Sequence, residues 1–176
     1  HNNAVFTIDP RNGNIYGVQS NHASDNNYRI YRSTTGDMAD LSLVTTLTNG
    51  SNTTYSQVHQ HAENLDVLDF WGRDNGAFRS NWYLWRTTDI AATTPTFSKN
   101  YVFAGGYLST VPRKNGDGCW LIAYGTGTPA GGNHSSNRLV FTQNVAVWRH
   151  RYSDDALLHL DGTVEKADII GMANPV

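Results

Sequence analysis

Two of the seven histidines, His59 and His61, stand one residue apart. On a strand that spacing puts both imidazoles on one face, where two rings can help to hold a metal ion. No third ligand stands near them, so a metal site is the minor reading of the pair. His134 sits in the run Gly131-Gly132-Asn133-His134-Ser135-Ser136, a loop composition that would let an imidazole line the mouth of a site or simply face solvent. Five aromatic residues, Trp71, Trp82, Tyr83, Trp85 and Trp120, carry flat apolar faces of the kind that stack on sugar rings. Alternation along a strand would bury about half of them. Cys119 is alone, so no internal disulfide forms and cysteine usage does not indicate a compartment.

The residues that must position these groups are β formers and turn formers. Of the 15 acidic residues only Glu63 and Glu165 are glutamates, and 16 glycines accompany many Thr and Asn. Such residues favour caps and turns, while Thr, Tyr, Trp and Val suit strands. The 176 residues suffice for one domain with a proper core. A net charge of −2 without a Lys/Arg run argues against nucleic acid and anionic membrane as partners. No apolar stretch approaches the roughly 20 residues of a spanning helix. The chain opens without Met or a charged-then-apolar leader, which suggests a processed or truncated start.

Short apolar or alternating runs recur along the whole length. Residues 5–8 and 14–18 flank Asp9-Pro10-Arg11-Asn12-Gly13, a hairpin signal. Further strands are expected at 28–32, 42–47, 55–59, 65–71, 82–86, 101–104, 107–111, 120–124, 139–142, 145–152 and 156–160, with long connections at 72–81 and 125–137. Tyr28-Arg29-Ile30-Tyr31-Arg32-Ser33-Thr34 aligns with Trp82-Tyr83-Leu84-Trp85-Arg86-Thr87-Thr88, and more loosely with Val147-Trp148-Arg149-His150-Arg151-Tyr152-Ser153. Each copy is followed by a turn containing Asp37, Asp89 or Asp154. A repeat of roughly 50–60 residues holding about four strands is the signature of a propeller blade. The expected fold is all-β and β-propeller-like, a single domain over 1–176 with about three to four antiparallel four-stranded blades. Closed propellers have about four to eight blades, so further blades from the same or another chain, or a homo-oligomer, would complete it.

The order of motifs resembles the BNR-repeat proteins that include the β-propeller ulvan lyases. The residues that carry the likeness are His1-Asn2-Asn3-Ala4 with Phe6 to Asp9, Tyr28-Arg29 through Asp40, and Thr54-Tyr55-Ser56-Gln57. Phe70-Trp71-Gly72-Arg73-Asp74 with the Asn81 to Arg86 strand follows, and then Arg151 to Asp155 with Asp161-Gly162-Thr163. Ser56 stands where the family pattern has proline, and Gly72 where it has tyrosine. The resemblance implies a catalytic set of His1, His22, Tyr55 and Arg73. It also implies cleavage of a uronate-containing, ulvan-like polysaccharide by β-elimination, outside the cell or at its surface, without a cofactor or metal.

Those residue types suit that reaction. The C5 proton of a uronate becomes acidic only when the carboxylate is neutralised, and the planar guanidinium of Arg73 does this with a two-point contact. His22 and Tyr55 would serve as the base that takes the proton and the acid that protonates the leaving oxygen, in either order. Trp71, Trp82, Tyr83, Trp85 and His134 would contact the polymer. Two other readings remain. A non-catalytic glycan-binding propeller of a cell-surface or phage-fibre adhesin would use the aromatics alone. A copper monooxygenase would use His1 with His59, His61 or His134.

Overall fold

The computed structural model describes residues 2–21, 27–48, 53–76, 79–104, 107–124 and 145–170. These form an all-β structure of three antiparallel meanders. Sheet 1 holds β1 (Asn2–Ile8), β2 (Ile15–Asn21), β3 (Asn27–Ser33) and β4 (Ser42–Thr48), in that order. Sheet 2 holds β5 (Thr53–Gln60), β6 (Leu68–Gly76), β7 (Arg79–Thr87) and β8 (Ser98–Ala104). Sheet 3 holds β9 (Tyr107–Pro112), β10 (Gly118–Tyr124), β11 (Val145–Arg151), β12 (Ala156–Leu158) and β13 (Val164–Lys166). The only helical turn among the described residues is a short 3-10 turn, Met38–Asp40, whose Ala39 N–H donates to Asp37 Oδ1 at 2.8 Å. No described helix is long and apolar enough to cross a membrane.

The strand positions follow the apolar runs, with three differences. The run at 65–71 starts as a strand only at Leu68, because Asn64 turns the chain first: its carbonyl accepts from Val67 N–H and its side chain from Asp66 N–H. The long connection expected at 72–81 is mostly strand. The β6–β7 ladder continues through the pairs Arg73↔Trp82, Asp74↔Asn81, Asn75↔Ser80 and Gly76↔Arg79, since backbone pairing makes no demand that side chains be apolar. A thirteenth strand, β13, folds back on β12 across a turn in which Gly162 adopts φ +86°. The run at 139–142 and the connection at 125–137 lie outside the described residues.

Sheet 2 is packed on both faces. Tyr16, Val18, Tyr28 and Ile30 of sheet 1 meet Val58, Leu68, Phe70, Tyr83 and Trp85 of sheet 2. On its other face Trp71, Trp82, Leu84 and Val102 meet Leu108, Cys119, Leu121, Trp148 and Leu157 of sheet 3. Adjacent residues of β7 therefore serve different cores, with Trp82 and Leu84 in one and Tyr83 and Trp85 in the other. The first strands of successive sheets approach one another, β1 beside β5 and β5 beside β9.

Turns at one end lock the sheets in sequence. In the β1–β2 turn Arg11 reaches Asp66 Oδ1 (2.8 Å) and the Leu65 carbonyl (3.2 Å) in the β5–β6 turn. Arg32 donates to the carbonyls of Ala91 (2.9 Å) and Ala92 (3.0 Å), beyond β7. Arg86 in turn reaches Asp155, beyond β11, at 2.7 and 2.8 Å. Since strands alternate in direction, the opposite end gathers the starts of β1, β3, β5, β7, β9 and β11.

Candidate functional site

Among the described residues of the implied catalytic set, the opposite end brings Tyr55 and Arg73 to facing strands. The β5–β6 register pairs Thr53 with Asp74 and Ser56 with Gly72, so Thr54 and Tyr55 together oppose Arg73. This is a β-bulge, a device that re-aims side chains and recurs beside active sites. Arg73 is half-buried, and its carbonyl accepts from the Tyr28 hydroxyl at 3.1 Å. That bond explains the glycine before Arg73. A Cβ on Gly72 would lie 2.5 Å from the Tyr28 hydroxyl oxygen, so only glycine leaves room for the tyrosine to cross from sheet 1. Asn2 pairs with Asn21 at the same end of sheet 1. His1, His22 and His134 lie outside the described residues.

The aromatic residues expected to stack on sugar are core residues. Trp71 and Trp82 are 1% exposed, Tyr83 7% and Trp85 5%. Trp85 stacks on Phe70 at 5.7 Å between ring centroids, and Tyr28 meets its edge. Lys99 holds its ammonium 4.1 Å from the Tyr83 centroid. Rings so packed present no face to a saccharide. Alternation was expected to spare half of them, and it fails to do so because sheet 2 is covered on both sides. Trp120, half-buried on the outer face of sheet 3, carries the Arg113 guanidinium 5.7 Å from its ring centre.

His59 and His61 do not converge as a metal pair. His59 hydrogen-bonds through Nε2 to the Thr110 hydroxyl of sheet 3, and His61 Nε2 to Asp69 Oδ2 at 2.7 Å. Among the described residues no three His, Cys, Asp or Glu side chains form a metal-binding group.

His61, together with His150, belongs to a buried ionic bridge between sheets 2 and 3 that the motifs did not reveal. Arg86 grips Asp69 through Nε (2.7 Å) and Nη2 (2.8 Å), and Asp155 through Nη1 (2.7 Å) and Nη2 (2.8 Å). His150 Nε2 lies 2.9 Å from Asp155 Oδ1. Tyr152 stacks on His61 with centroids 3.7 Å apart and planes 3° from parallel. The repeated strand Arg followed by a turn Asp was the visible signal, but the repeat does not say that Arg32 and Arg86 reach into the following sheet. Burial alone would raise the Asp69 carboxyl, but the Arg86 fork and the His61 hydrogen bond outweigh it and hold the group well below the usual carboxylate range. Asp155 is lowered in the same way by His150 and Arg86 against its own burial. Burial pushes the Cys119 thiol up to about 12, so it stays protonated and is no nucleophile.

Burial also drives His59 down from 6.5 to about 4. The unfolded chain therefore binds a proton at this residue before the folded one does, and stability falls as the pH drops from 6.5 toward 4. The full shift corresponds to on the order of 3 kcal/mol. Asp69 and Asp155 add to the loss lower down. Their stabilisation is present above the free-group value of 3.8 and disappears as the pH falls through their lower folded values. Urea unfolding across this range measures the effect, and a flat profile between pH 6.5 and 4 would contradict the burial of His59. Comparison of the chain with family models, curated proteins and solved structures finds no match in any of the three.

Proposed function

We propose that the protein is a polysaccharide lyase that cleaves uronate-containing, ulvan-like polysaccharide by β-elimination, outside the cell or at its surface. The observation that carries this reading is the β5–β6 bulge, which opposes Tyr55 to Arg73 at the strand end where Asn2 and Asn21 also pair. With it goes a propeller-like arrangement in which the three sheets are successive blades. Supporting that arrangement are the sequential strand order, the approach of first strand β1 to β5 and of β5 to β9, and the Arg ties from each sheet to the next.

In this scheme the Arg73 guanidinium pairs with the uronate carboxylate and stabilises the charge that develops as the C5 proton leaves. His22 and Tyr55 divide the two proton transfers between them. The C4–oxygen bond breaks as the C4–C5 double bond forms, and the departing oxygen takes up a proton. The carboxylate-conjugated product absorbs near the ultraviolet edge. Incubation with ulvan is therefore expected to raise that absorbance. Arg73→Ala should abolish the signal, because loss of one such electrostatic contact costs about 3 kcal/mol or more of transition-state stabilisation. Tyr55→Phe should lower kcat far more than it changes KM. A folded protein that retains the polymer yet yields no unsaturated product would leave the non-catalytic glycan-binding reading instead.

A further inference from the structure

We propose that the outer faces of sheets 1 and 3 dock on each other between two copies of this 176-residue chain, closing a ring of their six described sheets. The inference rests on the three sheets being successive blades, and makes no use of the lyase chemistry. Its basis is a joint that the chain already builds twice, between sheets 1 and 2 and between sheets 2 and 3.

The joint has an arginine latch at a fixed place in each repeat. Arg32, Arg86 and Arg151 each lie near the end of the third strand of a sheet and pair across the ladder with Ser42, Ser98 and Ala156. Arg32 reaches the carbonyls of Ala91 and Ala92, five and six residues beyond Arg86. Arg86 reaches Asp155, four residues beyond Arg151. The same steps beyond Arg32 lead to Gly36, Asp37 and Met38, all exposed. Gly36 and Asp155 hold equivalent positions and share the left-handed backbone, at φ +76° and +55°. Arg151, meanwhile, is folded back on the exposed Asp154 of its own turn, with Nε 2.7 Å from Oδ1. The exposed turn after Arg32 carries Asp37, and Arg151 is a cation held only by Asp154 of its own exposed turn, so the two ends are complementary in charge once Arg151 swings across.

The faces beside the latch are apolar in the same sense. Phe6, Ile8 and Leu43 lie exposed on the outer face of sheet 1, and Val111 lies exposed on that of sheet 3 beside half-buried Trp120 and Ile122. Among the described residues no strand lies on either face. By position Tyr31 of sheet 1 matches Trp85 of sheet 2, which sits inside the first joint. Arg149, which comes to this face on sheet 3, already has its charge countered by Asp117 at 2.8 Å. A second copy fits because each chain carries both halves of the joint. A head-to-tail contact that closes after two subunits gives two-fold symmetry, and six sheets fall within the four to eight blades of closed propellers.

Light scattering on the purified 176-residue chain should give twice the 19.5 kDa of one copy. Leu43→Arg on sheet 1 and Val111→Arg on sheet 3 change exposed positions, and each is expected to yield a folded monomer, judged by unchanged circular dichroism. Mixing the two variants should restore a dimer, since one joint then pairs two unaltered faces. A wild-type mass of 19.5 kDa at every concentration would overturn the proposal. So would dissociation by Leu43→Arg but not by Val111→Arg, which is the mark of a face-to-face contact between two copies of sheet 1. The wild-type mass decides the point even if a variant fails to fold. The unsaturated-product assay reports on the lyase chemistry separately, so either reading can fail without the other.

Discussion

Replacing Arg86 by alanine is expected to lower the free energy of unfolding by about 3–5 kcal/mol, the cost of breaking a buried ion pair from one side. Asp69 is 1% exposed and would keep only His61 as a hydrogen-bond partner, while Asp155 would keep His150. A carboxylate left in that position either stays charged without a counter-ion or takes up a proton, and both routes cost free energy. Arg86→Lys should recover only part of the loss. One ammonium cannot reproduce the two forks that the guanidinium makes to Asp69 and Asp155. Asp69→Asn in the Arg86→Ala background should be less destabilising than the two single effects added, because the orphaned charge is gone. Urea midpoints at constant slope measure all three variants. A loss below about 1 kcal/mol for Arg86→Ala would mean that the bridge behaves as a surface pair.

Trp82→Ala should be comparably damaging, at about 3–5 kcal/mol, for the different reason that it empties a packed core. The indole is 1% exposed between sheets 2 and 3 and belongs to the cluster of Trp71, Leu84, Leu121 and Trp148. As a sugar platform the residue would behave otherwise: its removal would spare stability and weaken polymer retention. Measuring thermal unfolding and polymer retention on the same preparation separates the two roles. Unchanged stability with lost retention would overturn the placement of Trp82 in the core.

The strands were legible because their signals are local. Alternation and turn residues act over a few positions, so the β1–β2 hairpin follows from residues 5–18, with Asp9 accepting from the Arg11 N–H and Gly13 at φ +77°. The repeat was legible for the same reason, as an aromatic strand ending in Arg and leading into a turn with Asp. The extension of β6 through Gly76 was not, because polar residues in a ladder look like loop residues until a partner strand is alongside. The strand-face argument for His59 and His61 placed both rings on the side that meets sheet 3, but it could not name their partners. His59 bonds Thr110 and His61 bonds Asp69, so the two do not act as a metal pair.

The amino-acid sequence by itself determined the all-β character, most strand positions, the three repeats and the hairpin turns, since each depends on interactions among near neighbours. Tertiary structure alone decided what each strand face meets. Sheet 2 became a middle layer, so Trp71, Trp82, Tyr83 and Trp85 were all removed from solvent. The unbroken run Trp82-Tyr83-Leu84-Trp85 agrees with burial on both faces, but only packing names the sheet that covers each. It also chose the partners of Arg86, one of them Asp155, 69 residues away. A guanidinium that loses its water must find carboxylates wherever the packing of sheets brings them, and separation along the chain has no bearing on that distance.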